Sequence, residues 1–107
     1  MYTTIYKNDQ NGKFIEQTQI KLPGIDASSI SFADYNSDGK MDILIVGNDA
    51  NGSGELLLFK NLNGSNFSVM NIANLNSYYQ LQCFFADFNN DGLADILVGG
   101  NNWEKHN

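Results

Sequence analysis

Ser31-Phe32-Ala33-Asp34-Tyr35-Asn36-Ser37-Asp38-Gly39-Lys40-Met41-Asp42-Ile43-Leu44-Ile45-Val46-Gly47-Asn48 returns 53 residues later as Phe84-Phe85-Ala86-Asp87-Phe88-Asn89-Asn90-Asp91-Gly92-Leu93-Ala94-Asp95-Ile96-Leu97-Val98-Gly99-Gly100-Asn101. The offset also holds upstream, where Tyr6-Lys7-Asn8 matches Phe59-Lys60-Asn61 and Phe14 matches Phe67. Residues 5–48 set against 58–101 share 15 of 44 positions. One offset kept over that span marks an internal repeat. The copies differ too much for an idealised consensus and read as natural, diverged repeats.

Each period parses into four short strands, A to D. Ser29–Tyr35 (A) alternates Ile30 and Phe32, and Met41–Gly47 (B) is a β-branched apolar run. Gly54–Asn61 (C) holds Leu56-Leu57-Leu58-Phe59, and Phe67–Ile72 (D) is marked by Phe67 and Val69. Asn63-Gly64 and Asn11-Gly12 join C to D, the dipeptide that best supports two successive positive φ angles in a hairpin. No window keeps a 3.6-residue period. The expected fold is all-β: propeller blades of four antiparallel strands, two blades' worth per chain, circularly permuted. Residues 1–107 are expected to form one two-blade unit, in which 2–18 supply C and D, 29–72 a whole blade, and 80–100 the A and B that complete a blade with C and D of a neighbouring chain. The matched pairs Phe32/Phe85 and Ile43/Ile96 are expected in the core, and Cys83 as a small buried hydrophobe.

Composition bounds the function. Hydrophobic residues at 42% against 17% charged exclude a disordered chain. Twelve acids face six lysines and no arginine, a net charge of −6 that excludes nucleic acid and anionic membrane as partners. The single Cys83 excludes an internal disulfide, and the single His106 removes most catalytic dyads. No signal-peptide pattern opens the chain, which is expected to be cytosolic or a piece of something longer.

Asp34-x-Asn36-x-Asp38-Gly39-Lys40-x-Asp42 and Asp87-x-Asn89-x-Asp91-Gly92-Leu93-x-Asp95 lie between A and B in the two repeats. Six of the twelve acids sit in these loops, a crowding that a cation would relieve. Asp34, Asn36, Asp38 and Asp42 would offer side-chain oxygens, and Lys40 a backbone carbonyl; Asp87, Asn89, Asp91, Asp95 and Leu93 repeat the set. Glycine at the sixth position permits the sharp turn. Oxygen ligands on a flexible loop favour Ca²⁺, two per chain, over Mg²⁺ or Zn²⁺. The loop is not an EF-hand, since the twelfth-position Glu is absent and strands flank it. The alternative is a pair of Asx turns holding no metal.

These loops and the Tyr6-Lys7-Asn8 and Phe59-Lys60-Asn61 hairpins resemble the FG-GAP/VCBS repeat family, which includes the β-propeller of integrin α-subunits. The resemblance implies calcium in each A–B loop with a structural role, and a secreted or cell-surface parent. Family propellers have more blades, and two alone would leave apolar faces bare. A homo-oligomeric ring answers this, because the end of one chain falls where the next would begin. A trimer gives six blades and a tetramer eight. The chain is then a non-enzymatic interaction scaffold. A fragment of a larger adhesion-type propeller is the alternative. A second is a carbohydrate-binding (lectin-like) or protein-binding propeller using Tyr78, Tyr79 and Trp103, aromatics that would otherwise seal a subunit junction. An enzyme would have to work with carboxylates that calcium already claims.

Overall fold

Eight antiparallel strands form three sheets, with no helix among the described residues. The computed structural model describes residues 2–75 and 78–102; the side chains of residues 78, 79 and 102 are outside that description. β1 (Tyr6–Asn8) pairs with β2 (Phe14–Glu16). β3 (Asp26–Ala33), β4 (Asp42–Asn48), β5 (Gly54–Asn61) and β6 (Phe67–Asn74) form a four-stranded meander in sequence order. β7 (Tyr78–Ala86) pairs with β8 (Asp95–Asn102). Turns at Gly12 (φ 91°) and Gly64 (φ 86°) use the left-handed backbone that glycine tolerates, but Asn11 and Asn63 do not share it, so neither hairpin has the two successive positive φ angles expected of Asn-Gly.

β3 begins at Asp26 and not at Ser29, because a bulge between Ala27 and Ser29 lets the ladder with β4 continue. The same irregularity recurs between Tyr79 and Gln82 in β7. The two pairs share one register: Ile30 faces Ile45 as Cys83 faces Val98, and Phe32 faces Ile43 as Phe85 faces Ile96.

The four-stranded sheet is covered on both faces. One face buries Ile43, Ile45, Leu57 and Phe59 with Ile25, against which Ile5, Leu22 and Phe67 pack. The other buries Leu44, Val46 and Leu56 under Leu81 and Cys83 of β7, with Phe85, Ile96 and Val98 alongside. Alternation along a strand sends successive side chains to these two faces. β4 is fully buried from Asp42 to Gly47 because both faces are covered.

Phe32, expected in the core, is exposed. The repeat explains why. Cys83 is 1% exposed, yet Ile30 at the same place in the first repeat is 49% exposed. Cys83 and Phe85 lie against the four-stranded sheet. Ile30 and Phe32 face the opposite side, that of Ile43 and Ile45, where Ile25, Ile5, Leu22 and Phe67 pack but do not cover them. Phe32 instead lines an open apolar groove of about 250 Å³ with Ile5, Ile20, Met41, Ile43 and Phe67. The mirror deficit falls on β8, where Leu97 is 62% exposed although its counterpart Leu44 is at 0%.

Burial pushes the Cys83 thiol above its ordinary pKa, against smaller opposing hydrogen bonds. Little reactive thiolate forms near neutral pH. Alkylation of the native chain is therefore expected to run at least about a hundredfold slower than in denaturant. Equal rates would mean that β7 does not cover the sheet.

Candidate metal centres

The first acidic loop joins β3 to β4. Asp34 directly follows β3 and Asp42 opens β4, so the sheet fixes both ends. Asp34 Oδ1 accepts the Asp38 N–H at 3.0 Å, and its Oδ2 accepts the Gly39 N–H at 2.7 Å. Asp38 Oδ1 accepts the Lys40 N–H at 2.9 Å. Ser37 and Gly39 take φ angles of 59° and 85° to make the turn. The second loop repeats this arrangement. Asp87 accepts from Asp91 and Gly92 at 3.0 and 2.8 Å, and Asp91 from Leu93 at 2.9 Å. Asn90 and Gly92 have φ 59° and 83°.

The carboxylates converge as a result. Oxygens of Asp34, Asp38 and Asp42 lie within 4.8 Å of one another, as do those of Asp87, Asp91 and Asp95. Like charges at that separation repel, and inward N–H groups offset only part of the cost. The Lys40 N–H holds the Asp38 carboxyl below its ordinary value against slight desolvation, with further help from the Asn36 amide and the Lys40 ammonium.

The acidic loops differ from two other Asx turns of the chain. Asp9 accepts the Asn11 and Lys13 N–H groups at 2.8 and 3.0 Å, and Asp49 those of Asn51 and Ser53 at 2.9 and 3.0 Å. Each of those turns uses one carboxylate. The acidic loops gather three, and each also holds a buried oxygen without a hydrogen-bond partner: Asn36 Oδ1 in the first, Asp95 Oδ2 in the second. An all-oxygen set with a spare acceptor fits a hard cation such as Ca²⁺, and lacks the nitrogen or sulfur that zinc prefers.

Asp42 is buried, Asp34, Asn36, Lys40 and Asp95 are half-buried, and Asp38, Asp87, Asn89, Asp91 and Leu93 are exposed. Lys40 and Leu93 join the loops through their N–H groups. Tyr78 and Tyr79 open β7, but their side chains lie outside the described residues, as does all of Trp103. Sequence reasoning missed what Asp42 does besides facing its loop. Its Oδ2 accepts the Tyr35 N–H at 3.2 Å, and its Oδ1 the N–H of Asn61 at 2.7 Å. The carboxylate thus ties the loop to the end of β5. The one available signal was the repetition of Lys60-Asn61 as Lys7-Asn8.

No curated protein and no solved structure gives a significant match. A family model described as FG-GAP-like repeat matches residues 1–45 and 34–98. With nearly the whole length covered by these two overlapping matches, the chain belongs to the FG-GAP-like repeat family.

Proposed function

We propose that the protein is a calcium-binding propeller module, a non-enzymatic interaction scaffold whose copies join into a closed ring. The observation that carries the calcium reading is the doubled convergence of three carboxylates, in loops that each also hold a buried, unpartnered oxygen. Asp34, Asn36, Asp38, Asp42 and the Lys40 carbonyl would hold one ion; Asp87, Asn89, Asp91, Asp95 and the Leu93 carbonyl would hold the other. Two Ca²⁺ ions would bring the formal charge from −6 to −2. Their role is structural: each pins a strand-to-strand turn and, through the Asp42 position, the next strand.

In this reading β3–β6 form a blade, while β1–β2 and β7–β8 are half-blades from a permuted repeat. The bare apolar surfaces of Ile30 and Phe32 on one side and Phe84 and Leu97 on the other support assembly. Three copies give six blades and four give eight. Among the described residues the clustered carboxylates are those of the two loops, which favours scaffolding over carboxylate catalysis.

A ligand that binds only the native state stabilises it by mass action, about 2.7 kcal/mol at a concentration a hundred times Kd. Thermal melts in calcium against chelator are expected to differ by roughly 10 °C. Asp38→Ala and Asp91→Ala should each remove part of that difference. An identical melt in both buffers would rule out calcium at the loops.

A further inference from the structure

We infer that β1 of one copy pairs with the free edge of β8 in another, and that this strand completes the second acidic site by bringing the Asn8 N–H to Asp95. The metal part of this inference rests on the calcium reading above; the strand pairing does not.

β3–β4 and β7–β8 are the same pair in the same register, one repeat apart. β5 lies on the outer edge of β4, with Ile43 opposite Phe59. Among the described residues no strand occupies that edge of β8. The counterpart of β5 is β1, since Tyr6-Lys7-Asn8 matches Phe59-Lys60-Asn61. Yet among the described residues β1 pairs only with β2. Each edge is thus the one that the other strand is built to meet. Carrying the β4–β5 register across sets Tyr6 opposite Ile96 and Ile5 opposite Leu97.

The donors on β1 point the right way. The Ile5 carbonyl accepts from Gln17 at 2.8 Å and the Asp9 N–H donates to Lys13 at 2.9 Å, so odd-numbered residues bond toward β2. Alternation along an antiparallel strand turns the N–H groups of Thr4, Tyr6 and Asn8 to the other edge.

The carboxylate at the head of β8 reports the missing strand. Asp42 takes the Asn61 N–H on Oδ1 at 2.7 Å and the Tyr35 N–H on Oδ2 at 3.2 Å; Asp95, at the same position, keeps a buried Oδ2 with no partner among the described residues. A buried acceptor of this kind is costly until it is met. In the proposed register Asn8 stands where Asn61 stands.

The side-chain faces agree. Leu44 packs in the cluster with Cys83, with Phe85 alongside. One repeat further on, Leu97 takes the place of Leu44, and Ile30 and Phe32 of the next copy take the places of Cys83 and Phe85. All three are among the large apolar side chains that the single chain leaves exposed. Assembly and the second cation site are therefore coupled: strand addition supplies the site's last donor, and the ion strengthens strand addition.

Sedimentation equilibrium across a wide concentration range, with and without calcium, tests this. The wild-type chain is expected to reach a mass of three or four times 11.9 kDa. Tyr6→Pro removes one outward N–H without touching the bonds to β2, and Leu97→Asp charges a side chain exposed in the single chain. Each should weaken association at least about tenfold. Calcium titration should fall from two ions per chain to one strong site when the ring dissociates. A monomer at every concentration, or variants that assemble like the wild type, would overturn the strand pairing. Assembly without calcium binding would keep the pairing and remove the calcium reading; two strong ions on a monomer would do the reverse.

Discussion

Replacing Asp42 with alanine is expected to cost about 3–5 kcal/mol, enough to leave the chain largely unfolded near its normal melting range. Asp42 is fully buried and its two oxygens accept backbone N–H groups from Tyr35 and Asn61. Alanine accepts neither, and two donors lose a charged partner in the interior. The cost should persist in chelator, because these bonds need no metal. Urea denaturation reads it as a fall in midpoint at constant slope. Asp95→Ala is the control, made at the equivalent position in the second loop. On the dissociated chain it should cost less than about 1 kcal/mol, because one Asp95 oxygen already lacks a partner. Equal losses at the two positions would contradict the asymmetry between the loops.

Gly47→Ala is expected to cost about 3 kcal/mol or more. A Cβ at Gly47 would run into the Asp26 carbonyl oxygen and come within 2.7 Å of Ala27 Cα. Both are backbone atoms of β3 beside its bulge, and neither can rotate away. The methyl would have to push β3 off β4, opening the ladder that carries the first acidic loop. Gly99 is the comparison, since a Cβ there meets nothing within 4 Å. Gly99→Ala should be neutral or slightly stabilising, by up to about 1 kcal/mol, through the less flexible unfolded chain. A mild effect at Gly47 would mean that β3 and β4 lie further apart at the bulge.

The repeat made most of the strand pattern legible. Gly54–Asn61 was readable to its last residue because Gly and Asn punctuate an unbroken apolar run. The loops were legible because Asp, Asn and Gly each have a distinct use in a tight turn. Strand ends at Asp26 and Asn74 were not, since bulges prolong both ladders past the point where alternation breaks. Ile30 and Phe32 show a deeper limit. Alternation says which face a side chain takes, but not whether anything lies over it. The bond from Asn61 to Asp42 was hidden for a related reason, as its donor is a backbone group 19 residues away. Only the repetition of Lys60-Asn61 as Lys7-Asn8 hints at it.

The seam between the four-stranded sheet and β7 has a consequence for size. The two surfaces proposed to meet between copies are unlike one another, so the contact is directional and carries no stopping rule. Growth ends only when the turn added by each sheet sums to a full circle; otherwise it continues as a fibre. The wedge that fixes that turn within one chain is visible: Leu44 and Val46 on one side, Cys83 and Leu81 on the other. In the proposed ring, the number of subunits would depend on a few side-chain volumes. Cys83 is small and sealed in this seam; in the proposed ring a bulkier residue there would open the angle and change the count at which the circle closes.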